Sequence, residues 1–212
     1  MKDQAHAEFD RLIGKLAAAE NKDQQGVIRK AIWDRFGTTG ASFISDMAGF
    51  SSTSRSMGVT HFLKMIHRAR DIIRPGVVDN HGIFLKHDAD NCYAFFEDPG
   101  DAVRAAIQIN REIFHANQQR SIDEHMFLSV GIDYGELLLV GECDYYGDPV
   151  NTASKLGEDL AVRGETLVTE RAVNHTTITL SENAEHMVAR ISDIEIAYVR
   201  IPMTEVTKVR VG

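Results

Sequence analysis

The chain has 212 residues, 43% of them hydrophobic and 25% charged, which is enough for one well-packed domain with additional elements. Its formal net charge of -8 argues against a general affinity for nucleic acid backbone or anionic membrane. An acidic protein that handles a polyanion needs a local answer, such as metal ions. Cys92 and Cys143 are the only cysteines. Without a CxxC pair, they support neither a disulfide framework nor structural zinc. The N-terminus is polar, and no run approaches the roughly 20 apolar residues of a membrane span. The expected setting is cytoplasmic and reducing.

Residues 1–36 are expected to form a helical hairpin. Phe9, Leu12, Ile13 and Leu16 share one face, and after a polar break at 20–25 a second stripe runs through Val27, Ile28, Ala31, Ile32 and Phe36. Two such short stretches are too few for a coiled coil. Packing on the main domain and a dimer or regulatory role both fit. Gly37-Thr-Thr-Gly40 marks a boundary, dividing a helical extension (1–40) from the main domain (41–212).

Residues 42–52 begin as a strand and end in a glycine-containing polar loop. Asp46 lies at its end, suited either to cap the next turn or to seat a cation near free backbone N–H groups. A helix follows from Val59 to Ile73, ended by Pro75-Gly76. Residues 84–96 alternate as two strands around a polar knot at Asp88, Asp90 and Asn91, residue types that suit a tight turn. Asp90 is either a solvated turn residue or a carboxylate that invites a cation. Asp98-Pro99 is an N-cap followed by a first-turn proline, and an apolar stripe interrupted at Asn110 follows it. Residues 127–132 and 136–141 are expected as two strands around Tyr134-Gly135.

Asp148-Pro149 repeats the helix-start signal, and Gly164 is expected to stop that helix. Asn151 and Lys155 are four apart and share a face of its first turns, near the positive pole of the helix. They are either a solvated polar face or an amide and an ammonium that hold a sugar and a phosphate. A strand at 166–169 and a further pair at 187–191 and 194–202 close the sheet. The mixture of strands and helices in one domain predicts an α+β fold, with helices on one face of a largely antiparallel sheet.

Three stretches together resemble the catalytic domain of the class III nucleotidyl cyclases, the adenylyl/guanylyl cyclase family. They are Asp46-Met-Ala-Gly-Phe50, Lys86-His-Asp-Ala-Asp90 and Asp144-Tyr-Tyr-Gly-Asp-Pro-Val-Asn151-Thr-Ala-Ser-Lys155. The likeness runs over residues 42–169. It implies a ferredoxin-like palm and a head-to-tail homodimer with sites at the interface. The implied reaction converts a nucleoside triphosphate to a 3′,5′-cyclic nucleotide and pyrophosphate. Asp46 and Asp90 would be carboxylates for two Mg²⁺ or Mn²⁺ ions, with backbone at Met47 to Phe50, including Gly49, seating metal and triphosphate. Lys86 and Asp144 would fall at base-reading positions, where a donor paired with an acceptor suits adenine; the alternative is a simple salt bridge between them. The edge of cytosine has the same polarity, so CTP stays open. Asn151 matches the residue that orients the ribose.

Lys155 departs from the arginine usual in the family at the α-phosphate, keeping the charge but losing the planar fork. The connection before Asp144 is also shorter than in many relatives, which leaves the dimer contact open. The N-terminal helices, through Phe9, Leu12 and Trp33, are one candidate for that contact and packing on the core is the other. Arg200 or Lys208 is a candidate for the pyrophosphate end. The rival from another class is a nucleotide-binding or dimerisation module without turnover.

Overall fold

The computed structural model describes residues 2–48, 57–176, 178–180, 183–191 and 194–202. Two helices open the chain, α1 (Lys2–Ala17) and α2 (Lys22–Phe36). Asn21 caps α2, its side chain accepting the Gln24 N–H at 2.9 Å. Phe9, Leu12, Ile32 and Phe36 meet between them and close a small core against Val140. Phe9 and Leu12 therefore serve the chain's own packing, while Trp33 stays half exposed.

Strand β1 (Gly37–Met47) follows α2 without a linker. The expected break at Gly37–Gly40 is its first turn of pairing, opposite Leu138 to Gly135. Helix α3 (Val59–Asp79) runs through Pro75 rather than ending before it. Pro75 lies on the exposed face, and the next two residues, Gly76 and Val77, are buried. Gly76 lies directly against Ile109, so tertiary packing holds a turn that the proline would otherwise have ended.

The hairpin forms as β2 (Ile83–Asp88) and β3 (Asn91–Phe96). Its two turn residues are Ala89, at φ 51°, and Asp90. Helix α4 (Pro99–Gln118) starts as expected, with Asp98 accepting the Gly100 N–H at 2.7 Å. After a short 3₁₀ turn (Ile122–Glu124) comes one long strand, β4 (Leu128–Val140), where two were expected. Gly135 does not turn the chain. It pairs with Gly40, and β1 and β4 stay in register along the whole of β1. The reversal comes at Gly141 and Glu142, both at positive φ, and β5 (Asp144–Tyr146) returns along β4.

Helix α5 (Asp148–Ser154) is short and passes into a π-helical segment (Lys155–Leu160) that ends at Ala161, not at Gly164. Gly147, rather than Asp148, is its N-cap. β6 (Thr166–Thr169), α6 (Glu170–Asn174), β7 (Glu185–Ile191) and β8 (Ile194–Ile201) complete the described chain. Among the described residues the strands form one mixed sheet, ordered β2-β3-β1-β4-β6-β8-β7, with β5 paired to β4. Its first four strands, with α3 and α4 as crossovers, make the α+β ferredoxin-like palm.

Helices cover both faces of the palm, where one face was expected. Ala41, Phe43 and Met47 of β1, Cys92, Ala94 and Phe96 of β3, and Leu128, Val130 and Ile132 of β4 face α3 and α4 in the main core. Residues of opposite parity, including Ser42, Ile44, Asp46 and Gly131, face α5 and the π segment. Gly131 and Gly157 let that layer settle on the sheet. A Cβ on Gly131 would meet the Ala153 carbonyl oxygen and lie 2.6 Å from the Gly157 nitrogen.

Candidate active site

Asp46 stands near the end of β1, opposite Ser129 of β4, on the face away from the main core. Asp90 stands in the β2–β3 turn, which β3 carries alongside β1, with Ser45 paired to Cys92. The fold thus brings the two carboxyl groups within hydrogen-bonding reach of each other. Burial pushes the Asp46 carboxyl up to about 6, and the charges of Asp90 and Glu158 push the same way, while the Met47 N–H opposes them. The Met47 side chain is buried in the main core, so only its backbone faces this chemistry. Gly49 and Phe50 lie outside the described residues.

Glu158, on the π segment, adds a third negative charge near the pair. It accepts from Asn91 Nδ2 at 3.0 Å and from Ser154 Oγ at 2.9 Å. Among the described residues, no group of three or more His, Cys, Asp or Glu side chains closes around a cation. Two converging carboxylates fit Mg²⁺, which is commonly bound by one or two carboxylates plus substrate phosphates.

Lys86 reaches its place through a bulge. Phe84 pairs with Ala94 and Lys86 with Tyr93, so Leu85 is the extra residue. Regular pairing would have set Lys86 opposite Cys92, which is fully buried. The bulge puts it on the other face, where its Nζ lies 3.0 Å from Asp144 Oδ1 and 5.1 Å from the Tyr93 ring centroid. His87 falls opposite Cys92 instead, and burial lowers its proton affinity.

Asp144 opens β5. Tyr145, its neighbour, is buried, and its hydroxyl accepts from Ser42 Oγ at 2.8 Å and donates to the Phe43 carbonyl at 3.2 Å. This fastens β5 to β1 and fixes the height of Asp144 above the sheet. Asp144 also accepts from the Tyr145 N–H and the Tyr146 hydroxyl, each at 2.9 Å.

Asn151 lies exposed on α5, and Lys155 lies half-buried where α5 becomes π-helical. No hydrogen bond or ion pair to a described residue engages either side chain. Helices of this type are frequent at functional sites. Here the segment carries Glu158, which meets Asn91 of the β2–β3 hairpin.

Sequence reasoning missed Glu158, Tyr146 and a polar triad around the buried Asp133. Asp133, fully buried, accepts from Thr169 Oγ1 at 2.5 Å and pairs with Arg171, which also holds Asp148 at 2.6 Å. Asp148 thus ties the start of α5 to the sheet rather than capping it. Arg200 is engaged by Glu165 and Glu185. Lys208 lies outside the described residues. No helix among the described residues is long and apolar enough to cross a membrane.

No family model and no curated protein sequence matches this chain. Solved structures do. An adenylate/guanylate cyclase/hydrolase from Silicibacter pomeroyi superposes with a TM-score of 0.66 at 24% identity, covering 78% of this chain and 98% of the other. The guanylyl cyclase Cya2 gives 0.67 at 14% identity, covering 77% and 91%. A bacterial light-regulated adenylyl cyclase gives 0.65 at 17% identity, covering 81% and 56%. The fold is that of the class III adenylyl/guanylyl cyclase catalytic domains.

Proposed function

We propose that this chain is a class III adenylyl cyclase, acting as a homodimer that converts ATP to 3′,5′-cyclic AMP and pyrophosphate. The convergence of Asp46 and Asp90 carries this reading. Burial of one carboxylate beside another raises the free energy of the anionic pair, and no ion pair among the described residues compensates it. A site for divalent cations does.

Asp46 and Asp90, with the Met47 backbone, would hold Mg²⁺ or Mn²⁺. When bound, the ions make the ribose 3′-OH more acidic and neutralise the triphosphate. The O3′–Pα bond forms as the bond from Pα to the bridging oxygen breaks, and pyrophosphate leaves with that electron pair. The 3′-OH proton goes to solvent or to a phosphate oxygen.

The chain's own groups do the positioning, contributed to each site by both copies. Lys86 donates to adenine N1, and Asp144 accepts from the 6-amino group. Asn151 orients the ribose. Lys155 stabilises charge on the α-phosphate, and its lack of a described partner leaves it free for that contact.

The test is purified protein with Mn²⁺ and each nucleoside triphosphate in turn, with cyclic product measured. Product from ATP that is lost in Asp90→Asn, with the melting curve retained, supports the proposal. Product mainly from CTP replaces the substrate, since cytosine has the same donor and acceptor polarity. Binding without product from any triphosphate refutes turnover.

A further inference from the structure

Asp144 is held from three directions. Oδ1 accepts from Lys86 Nζ at 3.0 Å and from the Tyr145 N–H at 2.9 Å, and Oδ2 accepts the Tyr146 hydroxyl at 2.9 Å. Each carboxylate oxygen offers about two lone-pair sites. Oδ1 is therefore filled, and Oδ2 keeps one. A single acceptor direction suits a single exocyclic amino group. Guanine presents N1–H and a 2-amino N–H side by side, an edge that an unencumbered carboxylate takes with both oxygens at once. With Lys86 on one oxygen and Tyr146 on the other, that bidentate approach is closed.

Tyr146 does not hold this position alone. Its ring stacks on Phe9 of α1, with centroids 5.3 Å apart and planes 5° from parallel. Phe9 is itself buried and meets Phe36 of α2 edge-on at 5.3 Å. His6 Nδ1 lies 3.5 Å from Cys143 Sγ, a second fastening of α1 to the turn before β5. Burial and the neighbouring Asp144 push the Tyr146 phenol up to about 12, so it stays a neutral donor at physiological pH.

We infer that Tyr146 is a positioning residue that sets base specificity by occupying one face of Asp144 against guanine, and that the N-terminal helical hairpin, through Phe9, holds it there. This rests on the proposal that Lys86 and Asp144 read the base. It gives the hairpin a part in base reading through Tyr146.

The experiment measures equilibrium binding of 3′-deoxy-ATP and 3′-deoxy-GTP with Mn²⁺, which reads the base without turnover. The proteins are the full chain, Tyr146→Phe and Phe9→Leu, each with a melting curve. Tyr146→Phe keeps the stacked ring and loses only the hydroxyl. The expected result is a preference for the adenine analogue in the parent that falls about tenfold in Tyr146→Phe, the scale of one hydrogen bond to a charged group. A smaller fall is expected in Phe9→Leu. An unchanged ratio in a folded Tyr146→Phe overturns the inference while base reading by Lys86 and Asp144 stands. A fall in Tyr146→Phe but not in a folded Phe9→Leu overturns the role of the hairpin. A parent that binds neither analogue, or binds both alike, overturns the adenine-reading proposal and this inference with it.

Discussion

Replacing Asp46 with Asn should stabilise the metal-free protein and remove its response to metal. The Asp46 carboxyl is pushed from 3.8 to about 6 by burial first and then by Asp90 and Glu158. That change is about a hundredfold in proton affinity, or about 3 kcal/mol if the group were sealed from water. Asp46 is only half-buried, so screening leaves about 1 kcal/mol of strain in the anionic form at pH 7.5. Asn keeps the shape and can still donate to Asp90 without the charge. In EDTA at pH 7.5 its melting temperature should exceed the parent's by about 2–4 °C.

The pH dependence has a definite sign. A raised acid pKa means that the native state holds the proton more tightly than the unfolded chain. The contribution is fully present below 3.8 and is lost as pH rises through about 6. The parent should therefore gain stability relative to Asp46→Asn as pH falls from 7.5 towards 5. Mn²⁺ should raise the melting temperature of the parent and leave that of Asp46→Asn nearly unmoved. The reasoning fails if Asp46→Asn melts below the parent in EDTA at pH 7.5, or if Mn²⁺ shifts both proteins equally.

Two other substitutions bear on the layer above the sheet. Gly131→Ala drives a Cβ into the Ala153 carbonyl and the Gly157 nitrogen. It should cost about 3 kcal/mol, read as a melting temperature lowered by about 6–12 °C. A melt within a degree or two of the parent would contradict the close approach. Lys155→Arg restores a planar fork and should raise kcat for cyclic AMP formation about tenfold with little change in KM; lower activity than the parent would count against an α-phosphate role for this position.

Elements with local signals were the legible ones. The 84–96 hairpin, the Asp98-Pro99 helix start and the helices α1 and α2 depend on residues close together in the chain, although Ile13 and Val27 of the expected stripes stay exposed. Pro75 and Gly135 misled because a local breaker was outweighed by distant packing. Ile109 holds the last turn of α3, and Gly40 pairs across from Gly135. Glu158 gives no local signal because its partner Asn91 lies 67 residues away in the chain. Tyr146 carried a signal, an aromatic two residues after Asp144. Its meaning depends on Phe9, near the other end of the described chain.

The sequence by itself determined the fold class, the β2–β3 hairpin, the capped start of α4 and the three short motifs, because turn chemistry, capping and apolar period act over a few residues. Only the tertiary structure decided that Asp46 and Asp90 share a space, that a bulge turns Lys86 towards Asp144, and that α1 stacks on Tyr146 beside Asp144. Each of those depends on strand register or on contacts between distant segments. A shift of one residue in a strand reverses the face of every side chain beyond it, and no local pattern records which shift the folded chain adopts.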